Sequence, residues 1–258
     1  MRSDYKKIVN ADDLGYDMAI NKAILESFRR SLITRASLMV NMPGFQDAIQ
    51  MIQTYPFLSG KIGLHLNLTE GYSLTEPIRA CRRFCDESGQ FIYKRQTHIF
   101  FLSRPEGEAV YQEMKAQLEK AIDAGVLLSH LDSHHHVHTE WPILKLAIRL
   151  GNNYNVRNIR RARNMGKEPR PLKMAYKTFI NSYLRHYPGI STTDYFGDID
   201  DLSLFPEERS PKDKSIEIMV HPKFNEKQEL VDFDGKNLQE KLEPVLNTRY
   251  TISHTDDL

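Results

Sequence analysis

The segment His130-Leu131-Asp132-Ser133-His134-His135-His136-Val137-His138 holds five of the ten histidines in the chain. Neutral imidazole and carboxylate are ligands that borderline divalent metals accept, so the chemistry this cluster suggests is metal binding. The alternative is a solvated, histidine-rich loop; a terminal tag is excluded because the run lies mid-chain. Three other short stretches carry residues of the same kind. Asn10-Ala11-Asp12-Asp13-Leu14-Gly15 sets two carboxylates side by side, Gly63-Leu64-His65 ends on an imidazole, and Met219-Val220-His221-Pro222 contains another. Each alone is weak. A lone His65 could be a satisfied core histidine, and Asp12 and Asp13 could be a charge pair favoured by a helix N-terminus.

The elements that must position these residues are readable from periodicity. Ile8-Val9 is a short apolar run leading into the two aspartates. Ala19, Ala23, Ile24 and Phe28 mark an amphipathic helix over Met18 to Arg30. Ile33 to Met42 is β-rich, and Pro43 to Thr54 has helical spacing. In Lys61 to Leu68 apolar and polar residues alternate, with Gly63, His65 and Asn67 sharing a face. Gly107 to Ala124 reads as a helix stopped by Gly125, and Gly125 to Leu128 as a buried strand entering the histidine cluster. On that strand His130, Asp132 and His134 share one face. Thr139 is the expected N-cap of a helix running to about Gly151. Val156 to Ala162 is a candidate strand, Pro171 to His186 a helix, Ile190 to Phe196 and Ser215 to Val220 strands, Lys236 to Asn247 a helix, and Tyr250 to Ser253 a last strand. Strands alternating with helices imply parallel βαβ units, and seven or eight of them around one barrel fit the count. Asp12 and Asp13, His65, His134 and His221 then lie at or just past the C-terminal ends of different strands, where parallel barrels build their active sites.

A chain of 258 residues can form one such barrel, so 1–258 is expected to be a single catalytic domain. Thr69 to Glu106 breaks the rhythm and reads as an insertion at about 69–106, with a hairpin near Gly89 to Tyr93. Its Tyr72, Phe84, Phe91, Tyr93 and Phe100 are candidates for an aromatic rim on which a ligand could stack. The net charge of +1 argues against a general nucleic-acid or membrane-surface role. No apolar stretch approaches the ~20 residues of a membrane span, and Met1 to Lys7 lacks the apolar core of a signal peptide. Cys81 and Cys85 give no disulfide framework and read as a reduced pair, so a cytoplasmic location is expected. Arg157, Arg160, Arg161, Arg163, Lys167, Arg170 and Lys173 form a basic stretch, read as a solvated surface or as a contact to an anionic or polar substrate.

Taken together, the four motifs resemble those of the YdjC-like carbohydrate deacetylases, a family that includes the chitooligosaccharide deacetylases. The resemblance runs in order over nearly the whole chain, with Leu14 standing where Phe is more usual. It implies a distorted, TIM-like (β/α) barrel of the polysaccharide-deacetylase type. Carried over position by position, it implies that Asp13, His65 and His134 bind one divalent metal and that Asp12 is the general base. His221 is the candidate general acid. Magnesium is the metal the resemblance implies, whereas ligand type favours zinc. The implied partner is a small carbohydrate, and the resemblance alone suggests a homodimer.

These assignments meet the needs of amide hydrolysis. A metal with three protein ligands can polarise the carbonyl and activate water, a free carboxylate beside it can take the proton, and an imidazolium can protonate the departing amine. Asp132, two residues from His134, is expected to orient a ligand histidine; His135, His136 and His138 are expected to line the cleft or fix neighbours. Two rivals stay open. One is a phosphoesterase on a similar barrel, which would favour two metals and clustered carboxylates. The other is a non-catalytic sugar- or metal-binding protein.

Overall fold

The computed structural model describes residues 6–95, 101–166, 168–203 and 214–246. In chain order the elements are β1 (Lys6–Leu14), α1 (Met18–Arg29), β2 (Arg35–Leu38), α2 (Phe45–Thr54), β3 (Ile62–Leu66), α3 (Glu76–Arg79), α4 (Arg104–Asp123), β4 (Leu128–Ser133), α5 (Trp141–Asn153), α6 (Pro171–His186), β5 (Tyr195–Gly197), α7 (Ile199–Ser203), β6 (Ser215–Val220), a small antiparallel pair β7 (Lys223–Phe224) and β8 (Leu230–Val231), and α8 (Leu238–Leu246). The six longer-range strands form one sheet in the order β4-β3-β2-β1-β6-β5, and every pairing is parallel. The strands are buried on both faces, as a parallel sheet wrapped by helices requires.

The architecture is a distorted (β/α) barrel, and its distortion corrects the count of seven or eight regular units. Among the described residues, Val156 to Ala162 does not form a regular strand. It is reduced to two isolated parallel bridges, Ile159 with Leu131 and Asn158 with Ser191. Ser191 leads into β5, so these bridges join the two edges of the sheet. Backbone bonds close this seam, Leu131 N–H to the Asn158 carbonyl and Arg160 N–H to the Leu131 carbonyl on one side, Ile159 N–H to the Ser191 carbonyl and Ser191 N–H to the Arg157 carbonyl on the other, and side chains near it add to them. Asp194 accepts from the backbone and hydroxyl of Ser215, and Arg161 donates to the Asp194 carbonyl. The expected strand at Tyr250 to Ser253 lies outside the described residues.

Helix boundaries follow capping chemistry. α4 starts at Arg104, three residues before the expected Gly107, because Ser103 and Glu106 form a reciprocal capping box. It stops at Gly125, whose φ of +83° suits glycine. α5 is capped at Glu140 rather than Thr139; the Thr139 hydroxyl instead donates to the His136 carbonyl at 2.8 Å. The insertion holds α3 and two antiparallel bridges, Tyr72 with Gln90 and Cys85 with Phe91. Phe84, Phe91 and Tyr93 are buried in the core, so they pack the insertion down instead of forming a rim. Tyr72 is exposed, and Phe100 lies outside the described residues. No described helix is long and apolar enough to cross a membrane.

Candidate active site

Adjacent residues on a regular strand point to opposite faces. Asp12 and Asp13 escape that rule through an irregularity at the end of β1. The β1–β2 register shifts between Ala11 and Leu14, and Asp13 takes a left-handed φ of +70°. For a non-glycine residue this conformation costs on the order of 1 kcal/mol or more, and such strain concentrates at functional sites.

Asp13 Oδ1 lies 3.3 Å from His65 Nε2 and 2.9 Å from His134 Nδ1. Donor atoms bonded to one divalent ion at about 2.0–2.2 Å are separated by roughly 3.0–3.5 Å, so these spacings suit a shared cation. The second nitrogen of His65 is 2.7 Å from Asp132 Oδ1, the carboxylate–histidine arrangement that orients metal ligands. Nε2 of His134 is buried and makes no hydrogen bond; the nearest carboxylate is Glu70, at 3.5 Å. A metal ion therefore fits the donor set. Two overlapping groupings, Glu70 with His134 and His135, and Asp12 with His65 and Asp132, each borrow a histidine from this one.

The electrostatics follow from burial and charge. Burial pushes the Asp13 carboxyl up, but hydrogen bonds from His134 and His65 hold it well below the usual carboxylate range. Burial lowers the His65 imidazole, yet Asp132 and Asp13 outweigh it and raise the pKa to about 10. The site thus prefers a positive charge at His65 or beside it.

Asp12 is buried, with a carboxylate oxygen within 4.8 Å of a His65 nitrogen, but its bonds go elsewhere than to the three clustered donors. Arg160 grips it with two bonds, Nη1 to Oδ2 at 2.7 Å and Nη2 to Oδ1 at 2.8 Å, and Asn10 donates to Oδ1 at 2.8 Å. Arg160 also meets Asp132 Oδ2 at 2.8 Å and Glu217 Oε1 at 2.5 Å. Burial opposes its charge, but Asp12, Asp132 and Glu217 raise its pKa well above the ordinary value. His221 Nε2 is 4.0 Å from Asp12 Oδ2. Its ring packs edge-on against Phe233 at 5.7 Å, and its backbone N–H donates to Asp232.

The structure therefore gathers Asp12, Asp13, His65, His134, Asp132 and His221 at one end of the sheet. The other histidines of the run separate. His130 faces Ser37 and Ser129, and Gly63 leaves room for it, since a Cβ there would come within 2.3–2.5 Å of the ring. Burial lowers the His130 pKa to about 3. His138 bonds Ser133 and the Arg160 carbonyl, and burial lowers it to about 4. His135 is half-exposed near Thr69. His136 lines a polar cleft of about 380 Å³ shared with Arg95, Thr139, Arg163, Glu168 and Asp201.

The basic stretch divides: Arg157 and Arg170 are exposed, Arg160 and Arg161 are buried, and Arg163, Arg170 and Lys173 line the polar cleft beside His136. Arg160 is buried on Asp12, Arg163 pairs with Asp198 and Asp201, and Arg170 and Lys173 share Glu168; Lys167 lies outside the described residues. Arg160, Glu217, Glu70 and Ser37 were not assigned from sequence. Arg160 was visible only as one basic residue among seven, and Glu217 only as a polar residue inside an apolar strand.

A parallel α/β barrel with a carboxylate–imidazole cluster at its strand ends defines the class. Within it, this chain belongs to the YdjC-like protein family, whose model matches residues 6–255. A carbohydrate deacetylase of Brevibacillus brevis is 31% identical over 85% of this chain and 82% of its own length. A carbohydrate deacetylase of Vibrio cholerae serotype O1 is 34% identical over 85% of this chain and 79% of its own. A solved structure from Enterococcus faecalis V583, described provisionally as a cellobiose-phosphate cleavage protein, shares the fold with a TM-score of 0.74 at 24% identity. That match covers 98% of both chains.

Proposed function

We propose that this chain hydrolyses an N-acetyl group of a small amino sugar or N-acetylated oligosaccharide, releasing acetate, with one divalent metal held by Asp13, His65 and His134. The observation that carries this reading is the convergence of those three donors with Asp12 beside them, bound to Arg160 instead of to the cluster. The carbohydrate deacetylases among the relatives support it.

A cation at the cluster would polarise the amide carbonyl and lower the pKa of adjacent water. Asp12 is the general base: Arg160 and Asn10 fix its carboxylate, and it takes the water proton. Asp132 holds the His65 ring so that Nε2 faces Asp13. The water oxygen bonds to the carbonyl carbon, the carbon–nitrogen bond of that adduct breaks, and His221 gives the Nε2 proton to the departing amine, leaving acetate. The cleft beside His136 is of ligand size. Arg95, His136 and Thr139 line it and offer polar side chains to sugar hydroxyls. Two imidazole nitrogens and one carboxylate favour zinc over magnesium by ligand softness.

The test is acetate release from N-acetylated chitooligosaccharides by purified protein, before and after chelation and metal return. Activity should vanish with the metal and come back with it. Undiminished turnover after complete metal removal would defeat the mechanism.

A further inference from the structure

Glu217 sits three residues before the end of β6, in register with Ile8, not with the aspartates. It is buried, and its carboxylate receives Arg160 Nε from the side away from Asp12. With Arg35, Asn10 and His130 it lines a small cavity behind the site. Burial pushes the Glu217 carboxyl up and Arg160 opposes that shift. Arg35 is buried as well and faces the Glu217 charge.

These two residues complete a charge count. Asp12, Asp132 and Glu217 are buried carboxylates joined by Arg160, and the partly buried Asp13 connects to them through His65, which makes four carboxylates against two buried guanidinium groups, Arg35 and Arg160. The carboxylates exceed the guanidiniums by two charges; in the metal-free protein the proton on His65 offsets one of them, and a dication that displaces that proton cancels both. Buried charge without a counter-charge is strongly unfavourable, so each member of the network influences the cation, including those that do not reach it.

We infer that Glu217 and Arg35 set the affinity of the Asp13–His65–His134 cluster for a dication by charge, relayed through Arg160, without touching any of its ligands. The inference rests on the metal reading above. Glu217 is a positioning and charge-setting residue for the site, and Arg35 is its counterweight.

The experiment is calorimetric titration of metal-free protein with Zn²⁺, in competition with a chelator and without substrate. Glu217→Gln keeps the shape and the acceptor for Arg160 but removes one negative charge, and should weaken zinc binding about tenfold, the scale of outer-shell changes at metal sites. Glu217→Asp, which keeps the charge, should weaken it less. Arg35→Gln should tighten binding a few-fold. The double variant Arg35→Gln/Glu217→Gln should return to within about threefold of the wild type, because the excess of two charges is restored. Unchanged affinity in Glu217→Gln, weakened affinity in Arg35→Gln, or a double variant as weak as Glu217→Gln alone would overturn the inference. Should Glu217→Gln fail to fold, Arg35→Gln alone decides. Wild-type protein that binds no zinc would remove the metal reading itself, a different failure from wild type and Glu217→Gln binding alike.

Discussion

The two halves of the barrel are built differently. From β1 to β4, ladder pairing and apolar alternation hold the strands, and the side chains left over at their ends converge on one point. From Val156 to β5 the strands are short or reduced to bridges, and side-chain bonds from Asp194, Arg161 and Asn164 add to the few backbone bonds there; β6 alone is regular, pairing with β1 over six residues. The first half supplies Asp12, Asp13, His65, Asp132 and His134. The second supplies Arg160, Glu217 and His221, the groups that grip or face Asp12. The first half thus carries the donors, and the second adjusts the charge and position of one carboxylate.

The strongest break of this contrast is Arg160→Met. It leaves Asp12, Asp132 and Glu217 without their shared cation, and losing one partner of a buried charge pair costs about 3–5 kcal/mol. Urea unfolding should show that loss, together with failure of turnover. A stability within 1 kcal/mol of the wild type would mean that the second half does not hold the first. Next, Asp12→Asn should lower kcat by roughly 10²–10⁴, the scale of general base removal, while zinc affinity falls about tenfold, as expected for losing one charge of the network. A loss of zinc binding far beyond that of Glu217→Gln would move Asp12 among the ligands.

Smaller effects sharpen the picture. His65, raised to about 10, holds a proton in the metal-free protein at neutral pH, and a metal must displace it. Apparent zinc affinity should therefore rise about tenfold per pH unit from pH 6.5 to 8, read by chelator competition. The same shift stabilises the metal-free fold: its contribution is complete below the unfolded pKa of about 6.5 and fades as pH rises through about 10. A flat affinity profile would show that Asp132 does not hold His65 charged. The smallest effect belongs to a place remote from the site. Ser103→Ala breaks the α4 capping box and should cost about 1 kcal/mol in thermal or urea unfolding, with zinc affinity unaltered.

Much of this protein was legible from residue order alone, for a local reason: periodicity, caps and motif spacing act over a few residues. Alternation around His65, the helical pattern of α1 and α4, the Gly125 stop and the placement of Asp12, Asp13, His65, His134 and His221 near strand ends are all of that kind. Tertiary structure decided what depends on distant neighbours. It turned adjacent Asp12 and Asp13 toward one site through a register shift and a left-handed residue, and it buried Phe84, Phe91 and Tyr93 that might otherwise have met a sugar. It drew Arg160 out of a basic stretch into the interior, because three carboxylates from β1, β4 and β6 converge there. Charge balance in a buried space is a property of the assembled strands, and no window of sequence contains it.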